Sequence, residues 1–354
     1  MEHTAWAEIN LSALSHNLAQ VRQCAPKAKV ITMIKADAYG HGLVAVGTQL
    51  ASEADMLGVA RLSEAQALRN HGISTPILLM GTLLSDEALR YCATQRIALA
   101  IHTLAQAHQV AALAIPMELW LKLDTGMNRL GLSEDELHQA HRLLSSAKAA
   151  HNLKLMTHFS SADEDRSPVT TEQIGKFEQV ANHYPDLPCS LANSAAIISA
   201  ERSHRDWVRP GIMLYGSNPT VKPLDLMPVM TLKSRVLAVK SVSAGESVGY
   251  NGKWTASKDS RIAALGIGYG DGYPRQLPNG TPVLVNGHRF PVVGRISMDI
   301  CSIDISDATL QIAEGDEVTL WGEGLPADDI APLANTISYH LFTGVTSRVP
   351  RLYR

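Results

Sequence analysis

Short apolar runs alternate with longer segments of helical period through the first two-thirds of the chain, and this alternation constrains the fold more than any other feature. The runs have the length and the β-branched content of buried parallel strands. Eight strands alternating with helices over about 200 residues are typical of a (β/α)₈ barrel. A doubly wound sheet would need fewer strands and usually a glycine-rich turn after the first, which the sequence lacks. The predicted strands are Val30–Ile34, Met56–Val59, Ile77–Met80, Ile97–Ala100, Met117–Leu123, Leu153–Thr157, Cys189–Ala192 and Trp207–Arg209.

The segments between these strands predict helices. Several begin with a Ser or Thr that can cap the first turn, and Ser133 is followed three residues later by Glu136, the spacing of a capping box. The predicted helices are Ser63–Asn70, Ser85–Ala93, Thr103–Leu113, Ser133–Ala149 and Thr171–His183.

From about Met227 the sequence indicates a second, mostly β domain of short runs separated by turns such as Asn279-Gly280 and Asn286-Gly287. One helix is expected near its end, at Asp328–Ser338, and Trp6–Ile9 could add an N-terminal strand. We therefore predict a barrel domain at 10–226 and a β domain at 227–354 that includes 1–9. Its predicted strands are Leu232–Val239, Arg261–Ile267, Pro282–Val285, Pro291–Val293, Cys301–Ile305 and Glu317–Leu320.

Composition excludes several classes of protein. The net charge is −3 with mixed signs and aromatic residues make up 5%, which disfavours nucleic-acid binding. We expect no secretory signal and no membrane span. The four cysteines are far apart without metal-ligand or disulfide spacing, so we expect a cytoplasmic protein with reduced thiols and no metal in its site.

The first predicted strand ends in Lys35 and is followed by the segment Ala-Asp-Ala-Tyr-Gly-His-Gly. A lysine at a strand exit points toward the cleft above the sheet, where burial makes its amine a nucleophile near neutral pH. The two glycines let the backbone approach a bound anion closely. A lone lysine here would more often reach solvent, but the following segment argues against that alternative.

Cations and hydrogen-bond donors also follow the later strands. Barrel active sites form at these carboxyl ends, and the last two loops commonly bind phosphate. An amine nucleophile facing a phosphate cradle suits pyridoxal phosphate. Singly, each residue has a plainer explanation: a structural histidine, a surface arginine, a strand-to-loop bridge, or a lysine paired with Asp124. The set comprises Lys35, Lys122, Arg129, His158, Asn193, Ser194, Arg209, Gly211 and Ile212.

Together with these residues, a series of motifs makes the chain resemble the alanine racemase family over essentially its whole length. Members of this family are pyridoxal phosphate enzymes of fold type III. The order of the motifs is more specific than any one of them. The motifs are Val30–Gly42, Leu121–Leu132, His158–Asp163, Asn193–Ala196, Arg209–Gly216, Val248–Trp254, Ile267–Arg275 and Val293–Asp299.

The resemblance implies that Lys35 anchors the cofactor as an aldimine and is one of two catalytic bases. Arg209 would face the pyridine nitrogen, with His158 orienting it, and Arg129 would lie near the cofactor phenolate and the substrate carboxylate. Because an arginine stays protonated, it would donate to that nitrogen without protonating it. The remaining cofactor-binding residues implied are Tyr39, Asn193, Ser194, Gly211 and Ile212.

The resemblance also implies a homodimer with shared active sites. Tyr250 would be the second base and would reach the partner's barrel with Met298, although Tyr250 alone resembles a turn aromatic of the β domain. Lys122 matches a lysine that some members carbamylate to position Arg129. Ser347 stands where some members carry a tyrosine near the phosphate. Substrate-entrance residues would be Asp163, Tyr269, Arg275 and Arg295, of which Asp163 and the two arginines could equally form a structural ion-pair network.

These features predict an enzyme that interconverts L- and D-alanine by a two-base mechanism and supplies D-alanine for peptidoglycan. The alternatives are a serine or broader-specificity racemase, a basic amino-acid decarboxylase of this architecture, and a non-enzymatic pyridoxal phosphate carrier. The decarboxylase would need a glycine-rich phosphate loop and a catalytic cysteine that do not stand out. Carriers lack the region after about Met227, which is present.

Overall fold

The computed structural model describes residues 3–147 and 150–354. The chain begins with strand β1 (Ala5–Ile9) and helix α1 (Leu11–Cys24) and then enters the barrel. Asn10 begins α1 because its side chain accepts a hydrogen bond from the Ala13 amide at 3.2 Å.

Eight parallel strands close into a barrel, so the predicted fold class is confirmed. Their ends lie within three residues of the predicted ones, and β2 pairs with both β3 and β9 to complete the ring. Most of their residues are buried, as expected of parallel strands covered by helices. The strands are β2 (Lys29–Met33), β3 (Met56–Val59), β4 (Ile77–Leu79), β5 (Ile97–Ile101), β6 (Met117–Lys122), β7 (Ala150–Met156), β8 (Cys189–Asn193) and β9 (Trp207–Arg209).

The helices between these strands begin at caps that the sequence marks. Ser85, Thr103 and Ser133 each accept a hydrogen bond from the amide three residues on. Part of the predicted Ser133–Ala149 helix, residues 148 and 149, lies outside the described residues. The helices are α2 (Leu43–Leu50), α3 (Leu62–Asn70), α4 (Asp86–Thr94), α5 (Leu104–Leu113), α6 (Glu134–Ser146), α7 (Pro168–Ala181) and α8 (Ser194–Ser199).

The C-terminal region forms a sheet that also takes in the N-terminal strand. β1 pairs antiparallel with β10 and parallel with β18. Asn286 and Gly287, with φ of 50° and 80°, make the two-residue turn between β14 and β15. The strands are β10 (Met230–Val242), β11 (Ser247–Val248), β12 (Trp254–Thr255), β13 (Ser260–Leu265), β14 (Pro282–Val285), β15 (His288–Val293), β16 (Cys301–Asp304), β17 (Glu317–Trp321) and β18 (Arg351–Tyr353), with β11 and β12 forming a separate two-stranded ribbon.

The helix predicted at Asp328–Ser338 is not continuous. It is replaced by α9 (Ala327–Ile330), a 3₁₀ turn at Pro332–Ala334, and α10 (Ser338–Gly344). A proline inside a helix lacks the amide hydrogen and clashes with the carbonyl four residues earlier, so Pro332 ends α9. Asn335 then adopts a left-handed conformation, with φ of 52°. Among the described residues, no helix has the length and apolar character needed to cross a bilayer.

A left-handed helical turn follows β2 at Lys35–Gly40. The four residues from Ala36 to Tyr39 have φ between 52° and 54°, a region that L-residues other than Asn and Asp rarely adopt. The Asp37 carboxylate accepts from the Leu43 amide at 2.7 Å, and Glu64 accepts from the Ala36 amide at 2.6 Å. These bonds fix a strained turn directly after the strand.

The glycines of this segment pack closely against the C-terminal region. A Cβ on Gly40 would lie 2.2 Å from the carbonyl oxygen of Phe342, and one on Gly42 would lie 1.9 Å from the hydroxyl of Tyr353. Both positions therefore require glycine, and the turn is braced by α10 and β18.

Candidate active site

A cavity of about 450 Å³ opens at the carboxyl ends of the barrel strands. This volume lies within the range of small-molecule sites. Ile212, which is also predicted to bind the cofactor, is buried at the start of a 3₁₀ turn next to Gly211. The residues of the predicted site that line the cavity are Lys35, Tyr39, Lys122, Arg129, His158, Asn193, Ser194, Arg209 and Gly211.

The amine of Lys35 has a shifted protonation equilibrium. Burial lowers the pKa of Lys35, and the neighbouring charges of Arg129 and Arg209 lower it further, while Glu64 acts in the opposite direction. A lowered pKa increases the fraction of neutral amine, which is the nucleophilic form. Lys35 is therefore suited to covalent attachment of a carbonyl compound.

An anion cradle lies where the last two strands end. The Ser194 hydroxyl accepts hydrogen bonds from the amides of Gly211 at 2.8 Å and Met213 at 3.4 Å. Tyr39 brings a second hydroxyl, since a Cβ on Gly211 would lie only 2.4 Å from the Tyr39 oxygen. Glycine at 211 therefore permits a close approach of the phenol to backbone amides. Hydroxyls and amides that converge in this way suit a phosphate group.

Stacking fixes the ring of Tyr39. Its centroid lies 4.7 Å from that of Tyr215, whose own hydroxyl donates to the Met33 carbonyl at 2.9 Å. The ring of His41 also contacts Tyr215, with centroids 4.5 Å apart, and its Nδ1 is 2.9 Å from the Tyr39 carbonyl oxygen. Burial lowers the pKa of His41 to about 3, so it is neutral and can donate from Nδ1 to that carbonyl. The left-handed turn is thus stabilised both by the hydrogen bond to the Tyr39 carbonyl and by the stacking of the Tyr39 ring on Tyr215.

Arg209 is buried and held by several acceptors. It donates to the Ser190 hydroxyl at 2.6 Å, to the Leu191 carbonyl at 3.0 Å and to the Thr157 carbonyl. Burial lowers its pKa to about 10, so it remains a cation at neutral pH. Within the described residues, none of the hydrogen bonds uses its Nε. That N–H is available to an acceptor in the cavity that Arg209 lines.

His158 accepts from Arg209 across 3.4 Å at Nδ1. Burial lowers the pKa of His158 well below its ordinary value, and the charges of Arg209 and Lys122 act in the same direction. The imidazole is therefore neutral, which is the form that can accept a hydrogen bond from a guanidinium. Its predicted role in orienting Arg209 is consistent with this contact.

Positive charge dominates the cavity. Burial lowers the pKa of Lys122 to about 8, and the charges of Arg209 and Arg129 contribute. Its Nζ donates to the Leu130 carbonyl at 2.8 Å. Several cations that line one partly buried cavity favour an anionic ligand, such as a phosphate or a carboxylate.

Tyr250 and Met298 do not line this cavity. Their side chains are 65% and 52% exposed, on the C-terminal region of the chain. Tyr250 begins a 3₁₀ turn after Gly249, where a Cβ would lie 3.4 Å from the Arg295 amide. The single chain therefore brings together the residues predicted to bind the cofactor but not the predicted second base.

The predicted entrance residues divide between the two domains. Arg275 lies over the Tyr269 ring at 5.9 Å, in the C-terminal region. Asp163 follows β7, and its charge contributes to raising the pKa of Tyr339, a cavity residue. Within the described part of the chain, Asp163 forms no ion pair with Arg275 or Arg295. No contact therefore supports the alternative of a structural ion-pair network among these residues.

Sequence reasoning missed three residues with polar or charged side chains that line the cavity: Arg61, His102 and Tyr339. Arg61 and His102 follow the ends of β3 and β5, so the strand-end rule, applied to every strand, would have found them. Tyr339 comes from α10, and burial raises its pKa to about 12. No local sequence pattern indicates that Tyr339 belongs to the site. Tyr339, rather than Ser347, is the residue of the C-terminal region that lines the cavity.

Two family models match the chain. One, described as the N-terminal domain of alanine racemase, matches residues 9–219, and one described as its C-terminal domain matches residues 229–353.

Individual relatives are similar over the full length. The alanine racemase of Aeromonas hydrophila is 46% identical over 353 residues, which cover 98% of each chain. The crystal structure of the biosynthetic alanine racemase of Pseudomonas aeruginosa superposes with a TM-score of 0.94 at 40% identity and covers all of both chains. That of Bartonella henselae, described as having covalently bound pyridoxal phosphate, gives 0.91 at 28% identity with the same coverage.

Proposed function

The chain belongs to the alanine racemase family, and from this premise we propose that it interconverts L-alanine and D-alanine. The observation that carries the proposal is the low-pKa amine of Lys35 at a barrel strand end, facing an anion cradle across a cation-lined cavity. A racemase of other amino acids is not favoured by the relatives, and a carrier would not need the C-terminal region.

Pyridoxal phosphate fits the residues that line the cavity. The hydroxyls of Tyr39 and Ser194 with the amide of Ile212 beside Gly211 would hold the phosphate, and Lys35 would hold the carbonyl carbon covalently. Arg209, through its Nε–H, would donate to the ring nitrogen. When bound, the cofactor withdraws electrons from the α-carbon of the amino acid and so makes the α-proton removable.

Racemisation needs a proton acceptor and a proton donor on opposite faces of the α-carbon. Lys35 supplies one face from the barrel. Tyr250 is the proposed group for the other face, and the positive charge of the cavity would stabilise its phenolate once it lies there. Because Tyr250 is exposed in its own chain, we propose that it serves the cavity of a second copy.

The homodimer proposed here buries an exposed apolar face of the C-terminal region. Tyr269, Met298 and Ile300 are 40%, 52% and 42% exposed and belong with Tyr250 to the same part of the chain. Contiguous exposed apolar patches commonly mark interfaces, and the Gly270 amide donates to the Met298 carbonyl at 2.8 Å, which places Met298 beside Tyr269. Met298 of one copy and Arg129 of the other would then contact the substrate carboxylate.

A chiral assay tests the proposed activity. The purified, cofactor-loaded protein is incubated with L-alanine or D-alanine, and the enantiomers are separated by chromatography over a panel that includes serine. We expect both alanine enantiomers to reach the same mixture and Lys35→Ala to abolish the conversion. An enzyme that carries the cofactor but leaves alanine unchanged would refute the assignment, and faster conversion of serine would favour the alternative specificity.

A cellular role follows from the activity. We propose that the protein supplies D-alanine for peptidoglycan in the cytoplasm. Its expression in a bacterium that requires added D-alanine for growth should remove this requirement, whereas Lys35→Ala should not.

A further inference from the structure

A cluster of potential metal ligands lies outside the catalytic cavity. Glu134 and His138 stand one turn apart at the start of α6, and His183 follows the end of α7. One ligand atom from each of the three residues lies within 4.8 Å of the others. None of them lines the cavity that holds Lys35. The cluster therefore joins two neighbouring helices of the outer layer.

Each position has a structural cause. On a helix, residues four apart lie on the same face, so Glu134 and His138 project together, and Nε2 of His138 is 3.7 Å from the Glu134 carboxylate. His183 is held in place by its backbone, since its amide donates to the Val180 carbonyl at 3.1 Å. A ligand set on fixed backbone needs little reorganisation to bind an ion.

Tyr184 orients the imidazole of His138. Its hydroxyl is hydrogen-bonded to Nδ1 of His138, which leaves Nε2, 3.7 Å from the Glu134 carboxylate, as the ligand atom. Metal-binding histidines almost always have such an oxygen partner on the second ring nitrogen. The Tyr184 ring itself packs against His141 in a tilted arrangement, with centroids 4.3 Å apart.

We propose that Glu134, His138 and His183 form a binding site for a divalent transition-metal ion of the zinc type. Two imidazoles and one carboxylate match the preference of Zn²⁺, whereas Mg²⁺ and Ca²⁺ prefer oxygen ligands. Water would complete the coordination, because the site lies at the surface. The ion would clamp the start of α6 to the end of α7 and take no part in racemisation.

Calorimetric titration of Zn²⁺ into the cofactor-loaded enzyme tests this site, after chelator treatment and dialysis to remove free cofactor. At pH 7.5 we expect one saturable Zn²⁺ per chain, lost in His138→Ala and in His183→Ala. Tyr184→Phe keeps all three ligands and should weaken binding by about 10–100-fold. The matched control is His108→Ala, an exposed helical histidine outside the cluster, which should bind as the unchanged protein does.

Thermal unfolding supplies an independent readout. Zn²⁺ should raise the midpoint of the unchanged protein and of His108→Ala but not that of His138→Ala/His183→Ala, while the racemisation rate stays the same in all. Far-UV circular dichroism without metal checks that each variant is folded. The proposal is overturned if the unchanged protein binds no Zn²⁺, or if the double variant binds it with the same stoichiometry and affinity.

Discussion

Lys122 is a buried amine in a cationic cavity, at the carboxyl end of β6. Burial and the charges of Arg209 and Arg129 lower its pKa to about 8, so near pH 8 about half of the amines are neutral. A neutral amine can add carbon dioxide to form a carbamate, with loss of one proton. The product would place an anion beside Arg129, where the cation favours it.

We therefore expect ¹³C-bicarbonate to give a carbamate resonance in the nuclear magnetic resonance spectrum of the enzyme. The signal should grow between about pH 7 and pH 9, as the amine loses its proton, and should be absent in Lys122→Arg. A signal of the same size in Lys122→Arg would assign the carbamate to another amine.

Tyr250 is the residue on which the two-base proposal depends. If it serves one face of the α-carbon, Tyr250→Phe should slow exchange of the α-proton of one alanine enantiomer into deuterated water by about 10²–10⁴-fold. Exchange from the other enantiomer, served by Lys35, should fall far less. Tyr91→Phe removes a hydroxyl from a tyrosine of α4 that does not line the cavity, and it is the control. Equal losses for both enantiomers in Tyr250→Phe would contradict the assignment of two separate bases.

At the scale of elements, the left-handed turn after β2 concentrates backbone strain. Each L-residue in this conformation costs roughly 1–2 kcal/mol, yet Ala36 to Tyr39 adopt it in succession. Ala36 is exposed, so a substitution there tests the backbone with little change in packing. We expect Ala36→Gly to raise the free energy of unfolding by about 0.5–1 kcal/mol, because the strain relieved exceeds the extra chain entropy of glycine.

Ala36→Val is the matched opposite change. A β-branched side chain is disfavoured at positive φ, so valine should destabilise the protein where glycine stabilises it. Denaturant midpoints measured at equal protein and cofactor concentrations compare the three proteins. Midpoints that move in the same direction for both variants would argue against strain at this position.

The barrel was predictable from sequence because its strands are buried on both faces and therefore read as continuous apolar runs. The predicted residues at the strand ends meet in one cavity because the carboxyl ends of parallel barrel strands all lie at the same rim. The left-handed turn was not predictable, because alanine and tyrosine disfavour positive φ and a single aspartate does not indicate four such residues in succession. Tyr339 was missed because it reaches the cavity by a tertiary contact from α10. Pro332 argued against a continuous helix, but the prediction followed the helical period of the segment and did not take the proline into account.

At the scale of the whole molecule, the chain separates two groups that the proposed two-base mechanism needs together. Lys35 lines the barrel cavity, while Tyr250 is exposed on the C-terminal region and does not. A two-fold dimer can supply each cavity with the other chain's Tyr250, because the same pair of surfaces meets twice. A monomer with this geometry would leave each cavity without its second base.

Mixing two inactive variants tests this arrangement directly. Lys35→Ala lacks the barrel amine but keeps Tyr250, and Tyr250→Phe has the opposite defect. After subunit exchange of equal amounts, about half of the dimers would be mixed, and each would contain one complete site, which gives about a quarter of the unmutated activity. If both groups acted within one chain, no mixed dimer would hold a complete site and the mixture would stay as inactive as its components. The unmutated enzyme, taken through the same exchange procedure, sets the activity against which that quarter is measured.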